Sequence, residues 1–199
     1  MKSCLRKQLI IKDKNKLQEK CSPVSVKEGE EIGVRLLHEL RQSESGIGLA
    51  ANQIGIQKRV CVVNVKEPLV LINPKIVERS EKMFPFAEGC LSFPKKNAKT
   101  ERHNSVVVEA DNHDGKLTFS AESGDINDAF ETACVQHEID HLDGITMFDR
   151  KRPSTTVKRE GKKIGRNDKV LITCGTESKT IKYKKALPLL ENGWALVES

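Results

Sequence analysis

The chain has 199 residues, a length that suits one medium domain with an appendage. Its 37% hydrophobic and 31% charged residues describe a polar-surfaced protein with material for a core, and no apolar run approaches the ~18 residues of a spanning helix, which excludes that kind of membrane protein. The formal charge of +6 is uneven: from Arg150 onward 13 Lys and Arg face 5 Asp and Glu, a surplus of +8 against −2 before it.

The N-terminal stretch is basic but has no apolar run of signal-peptide length, and Asp13 and Glu19 are unlike a transit peptide, so a cytoplasmic location is expected. Six cysteines, Cys4, Cys21, Cys61, Cys90, Cys134 and Cys174, stand without CxxC spacing and read as free thiols. A first helix is expected from Ser25, with Glu28 completing a capping box and Ile32, Leu36, Leu37 and Leu40 as its buried stripe, stopping before Gly46. The β-branched run Arg59 to Val65 predicts a strand, and Val70 to Ile76 another in which Pro74 limits pairing. Ser105 to Val108 and Lys116 to Ala121 flank Asp114-Gly115, a hairpin signal. Helical spacing of Phe130, Ala133, Cys134, His137 and His141 predicts a helix over Ile126 to Leu142, with Gly144 as its stop. Beyond Pro153, Ser154 to Asn167 reads as a basic linker. Lys169 to Cys174, Thr180 to Tyr183, Leu187 to Glu191 and Trp194 to Val197 then read as two strands, a short helix and a last strand. The expected division is a first domain over 1–153 and a basic ββαβ-like module over 154–199.

His137-Glu138-Ile139-Asp140-His141 is an HExxH motif; on a helix, spacing i, i+4 stacks both imidazoles on one face, where they can share a metal. Glu138 projects beside them, able to take a proton from an attacking water. Two histidines satisfied by ordinary hydrogen bonds remain the bland alternative. The run His141-Leu-Asp-Gly144 continues toward the longer zincin pattern, but Met147 stands where its third histidine belongs. A third ligand must come from elsewhere, and Cys90 in Glu88-Gly89-Cys90-Leu91-Ser92 offers a soft thiolate, although such a cysteine taken alone is more often a buried structural thiol. Gly46-Ile47-Gly48-Leu49-Ala50-Ala51-Asn52-Gln53 lets backbone approach a ligand closely, and Gln53 can donate to a developing oxyanion; alone, the segment is equally an ordinary turn.

Together GIGLAANQIG (46–55), EGCLS (88–92) and QHEIDHLDG (136–144), in that order and with LINP at 71–74, resemble the peptide deformylase family over roughly residues 5–150. The resemblance implies an α+β fold with the HExxH helix packed against antiparallel strands. It implies removal of the formyl group from N-formylmethionine of nascent polypeptides, with formate released. It assigns Cys90, His137 and His141 to one divalent metal, ferrous iron by family habit. Zinc or nickel could be carried by purified protein, because Cys and His suit these ions as well. Glu138 becomes general base and later acid, while Gln53 and the Leu91 N–H stabilise the oxyanion. The formyl-Met peptide is expected as an added strand against Ile47, Gly48 and Gly89, with Phe130, Ala133 and Cys134 lining the methionine hole, plain core being the alternative for each of the three. Two departures stand out. Lys95-Lys96-Asn97 replaces an arginine common after EGCLSxP, and a β-rich basic segment replaces the terminal basic helix by which bacterial relatives often dock at the ribosome. The tail's charge would suit contact with the ribosome or other RNA phosphates, or simply face solvent. A metalloprotease is the first competing reading; it leaves Cys90 unused and lacks a histidine at 147. A catalytically idle scaffold is the second; it would require loss from a core set that is complete here.

Overall fold

The computed structural model describes residues 10–43, 45–151, 167–174, 177–191 and 194–197, and the chain divides after residue 153 into two units. Except for Asn167, the linker expected over Ser154–Asn167 lies outside these residues.

The first unit begins with the short helix α1 (Lys14–Leu17) and continues into α2 (Val26–Arg41). Ser25 caps α2 by accepting the Glu28 N–H at 3.3 Å, and Ile32, Leu36 and Leu40 bury its apolar stripe. Two of its glycines permit close packing: a Cβ on Gly29 would meet Ile72 at 2.7 Å, and one on Gly33 would meet Val70 at 2.5 Å. The helix therefore lies on a sheet of order β1-β2-β3, made by β1 (Gly48–Ala50), β2 (Val60–Asn64) and β3 (Pro68–Ile72). A 3-10 turn over Ala51–Ile54 links β1 to β2.

The strand expected over Val70 to Ile76 is two strands in two sheets. Asn73 adopts φ 50° and Pro74 has no N–H to pair, so β3 ends at Ile72 and β4 (Lys75–Arg79) joins another sheet. Two strands absent from the sequence reading follow, β5 (Met83–Gly89) and β6 (Asn97–His103), paired from Met83↔His103 to Gly89↔Asn97. β7 (Ser105–Glu109) and β8 (Leu117–Ser120) pair as a hairpin and complete a sheet of order β4-β7-β8. Every pairing between named strands is antiparallel, so the fold is α+β.

Helix α3 (Ile126–Leu142) runs between these sheets. Its apolar residues Cys134, Val135, Ile139 and Leu142 share a core with Cys61 and Val63 of β2 and Val106 and Val108 of β7. From Thr132 to Leu142 every residue is buried, on all sides of the helix rather than on one face. A stretch carrying His137, Glu138, Asp140 and His141 in such a place must satisfy its polar groups internally. After it, Gly144 adopts φ 74°, and a Cβ there would strike the Gln18 carbonyl.

In the second unit β9 (Lys169–Cys174) is flanked by β10 (Glu177–Lys182) and β11 (Ala195–Leu196), with α4 (Tyr183–Glu191) contributing Ala186 to a small core with Val170 and Ile172. Lys179 Nζ sits 4.7 Å from the centre of the Trp194 ring.

Candidate metal centre

His137 and His141, one turn apart on α3, hold their ring centres 4.8 Å apart at an interplanar angle of 77°. Cys90 follows the last residue of β5, and its carbonyl accepts the Phe93 N–H at 2.9 Å, which folds the chain into a turn behind the thiol. Cys90 Sγ lies 3.3 Å from His141 Nε2, and one ligating atom from each of the three residues lies within 4.8 Å of the others.

Behind His137 is a chain of buried charges. His137 Nδ1 lies 2.8 Å from Glu88 Oε2 and donates to it, so Nε2 is the ring nitrogen left for an ion. Arg102 forks onto both Glu88 oxygens, at 2.5 and 2.9 Å, and Thr100 donates to Oε1 at 2.5 Å. The third face of the same guanidinium reaches Asp140 Oδ2 at 2.5 Å, and Arg150 closes on both Asp140 oxygens at 3.0 and 2.7 Å. Burial pushes the Glu88 carboxyl up, but hydrogen bonds from Arg102 and His137 outweigh it and hold the group at about 2. Glu88 is thus a fixed anion that orients a metal-type histidine.

Glu138 lies beside this set. Its Oε2 is buried without a hydrogen-bond partner, and burial pushes its carboxyl up to about 7 against the opposing charge of His137. A base poised near neutrality suits proton transfer in both directions. The backbone of β1 passes directly over it: a Cβ on Gly48 would stand 2.5 Å from both Glu138 Oε1 and Cys134 Sγ, so position 48 accepts no side chain without displacing the carboxylate. Gln53 is locked by accepting the Ala50 N–H at 2.8 Å, which turns its amide nitrogen toward Ser92 Oγ at 3.1 Å and Cys90 Sγ at 3.4 Å. The Asn52 amide donates to the His141 carbonyl at 2.7 Å.

These groups open onto a cleft of about 450 Å³. Ile47, Gly48, Gly89 and Leu91 line it together with Gln53, Cys90, His137 and Glu138. Phe130, Ala133 and Cys134 form an apolar wall, Phe130 standing edge-on to Phe86 at 5.1 Å and 84°. His141 lies behind the floor and is 1% exposed. Met147, where a zincin would carry histidine, packs into a separate small core with Leu17, Phe93 and Ala98. Sequence reasoning passed over Glu88, Arg102, Asp140 and Arg150 as a unit, although Glu88 and Asp140 lie inside the quoted motifs and charges there are a usable signal.

A cysteine sulfur and one imidazole at the floor of a cleft, a second imidazole just behind it, a buried carboxylate beside them and an edge strand along the rim are the equipment of a metal-dependent amide hydrolase. The polypeptide deformylase family model matches residues 7–157. The chain belongs to that family. It is 44% identical over 110 residues to the peptide deformylase of Rhizobium meliloti, which covers 52% of this chain and 60% of that relative. With the peptide deformylase of Heliobacterium modesticaldum the identity is 43% over 138 residues, 67% of this chain and 86% of that one. Among solved structures, the Met-Ala-Ser-bound class I type b peptide deformylase from Acinetobacter baumannii is similar at TM-score 0.60 and 28% identity, covering 71% of this chain and 96% of that one.

Proposed function

We propose that this chain removes the formyl group from the N-formylmethionine of nascent polypeptides, with Cys90, His137 and His141 holding one divalent ion. The convergence of those three donors beside a buried, unpartnered Glu138 oxygen is the observation that carries the reading. The donor set fits an ion: the thiol is soft, and Glu88 fixes His137 with Nε2 free. Ferrous iron is the native ion in this reading, with zinc or nickel able to replace it in purified protein. The bound ion supplies Lewis-acid polarisation of the formyl carbonyl and makes nearby water more acidic.

The rest is assigned to the chain's own residues. Glu138 takes the proton of the attacking water and returns it to the departing amine of methionine. The Gln53 amide and the Leu91 N–H donate to the oxygen that gains charge as the carbonyl carbon becomes tetrahedral. Ile47-Gly48 and Gly89 offer backbone to the substrate as an added strand, and Phe130, Ala133 and Cys134 receive the methionine side chain. Residues 1–153 act as the catalytic domain. The basic module over 154–199 is assigned a contact with ribosomal RNA, supported by its charge and by exposed Lys169, Lys179, Lys182, Lys184 and Lys185. Among the described residues no helix is long and apolar enough to cross a membrane. Substrates of this kind arise where polypeptides are made, and we place the reaction in the cytoplasm.

Replacing Cys90 by Ala tests the metal assignment. Metal analysis after dialysis is expected to find about one ion per chain in the parent and a loss of most of it in the variant, with near-ultraviolet circular dichroism reporting an intact fold. Full metal content in folded Cys90→Ala contradicts the thiolate ligand.

A further inference from the structure

The turn that follows Cys90 carries a feature that the reaction leaves unused. Within Phe93-Pro94-Lys95-Lys96 the Lys96 N–H donates to the Phe93 carbonyl at 3.1 Å, and Lys95 adopts φ 65°. Proline at the second position and a left-handed third residue describe a type II turn, whose third position normally goes to glycine or asparagine. Outside the glycines, the described residues enter the left-handed region at Asn73 and Lys95 alone. Asparagine tolerates it, whereas lysine does so at a cost. Lys95 and Lys96 are both exposed and both line the cleft that holds Glu138. The cleft's described carboxylates are Glu88, committed to Arg102, and the buried Glu138, and neither lysine forms an ion pair with a described residue.

We propose that Lys95 and Lys96 form a cationic rim that selects formylated peptides with acidic side chains in the residues after methionine. The proposal rests on the deformylase reading and adds a substrate preference to it. An extended peptide advances about 3.3 Å per residue. With its formyl end at Cys90 and Glu138, its second and third residues leave the floor for a rim that carries these two ammonium groups. Exposed opposite charges of this kind attract over roughly 10 Å and are screened by salt.

The test compares three C-terminally amidated peptides, formyl-Met-Ala-Glu, formyl-Met-Ala-Ser and formyl-Met-Ala-Lys, by formate release at about 20 mM and about 500 mM salt. At low salt kcat/KM is expected to be about fivefold higher for Glu than for Lys, carried mainly by KM, and the ratio is expected to fall toward one at high salt. In Lys95→Gly/Lys96→Ala the low-salt ratio is expected to fall to about one. Glycine at 95 relieves the turn, so a thermal melt at or above the parent's shows that the loss is one of charge. Release from the Ser peptide with a parent ratio near one overturns the rim while leaving the reaction standing. A preference that survives in the folded double variant overturns the assignment to these lysines. No release from any of the three overturns the reaction, and the rim with it.

Discussion

Glu138→Ala is expected to lower formate release by about 10²–10⁴-fold while leaving the metal content of the protein unchanged. The carboxylate stands within the cleft yet outside the candidate donor set of Cys90, His137 and His141, so on the proposed function its removal takes away proton transfer and no ligand. Truncation here also removes a buried polar atom, Glu138 Oε2, that has no hydrogen-bond partner among the described residues. Rate measured by formate release, with metal analysis on the same sample, checks both halves. Loss of the ion from the variant would contradict the division of labour between Glu138 and its neighbours.

Arg102→Ala is expected to be the most damaging single change to stability. It takes from Glu88 its forked guanidinium partner and leaves Asp140 to Arg150 alone, and removing one partner of a buried pair typically costs about 3–5 kcal/mol. For a chain of this size that is on the order of 10 °C in melting temperature. The damage should reach the centre too, because Glu88 fixes the His137 ring; loss of such support commonly weakens metal binding by about 10–100-fold. Calorimetric melting and a competition titration with a chelating dye measure the two effects separately. An Arg102→Ala protein with the parent's metal affinity would show that Glu88 orients His137 unaided.

Much of this was legible in the residues because the chemistry sits in short, contiguous segments. The helix over Ile126–Leu142 could be bounded from spacing, since Gly144 and the HExxH interval both mark it. Cys90 was readable as a candidate donor from its soft thiol, but nothing local indicates that β5 ends in time to bring it against His141; that juxtaposition is a property of sheet pairing. The pair β5 and β6 escaped notice for a related reason. Met83-Phe-Pro-Phe and Lys99-Thr-Glu-Arg mix proline and charge into strands that alternate only weakly, and Arg102 is buried because Glu88 and Asp140 surround it, not because its own neighbours are apolar. The split at Asn73-Pro74 was half visible: proline forbids a pairing N–H, but only the left-handed Asn73 shows that the chain turns there into another sheet. Lys95 stood out in the sequence as part of Lys95-Lys96-Asn97, in the place of an arginine common among relatives, but its left-handed backbone angle is one that composition does not encode.

The decisive experiment is formate release from formyl-Met-Ala-Ser by protein purified without oxygen and loaded with ferrous iron. One formate is expected for each free methionine amino group that appears, and none after the ion is removed by a chelator. A folded protein carrying one ion per chain that releases no formate from this peptide would contradict the proposed function.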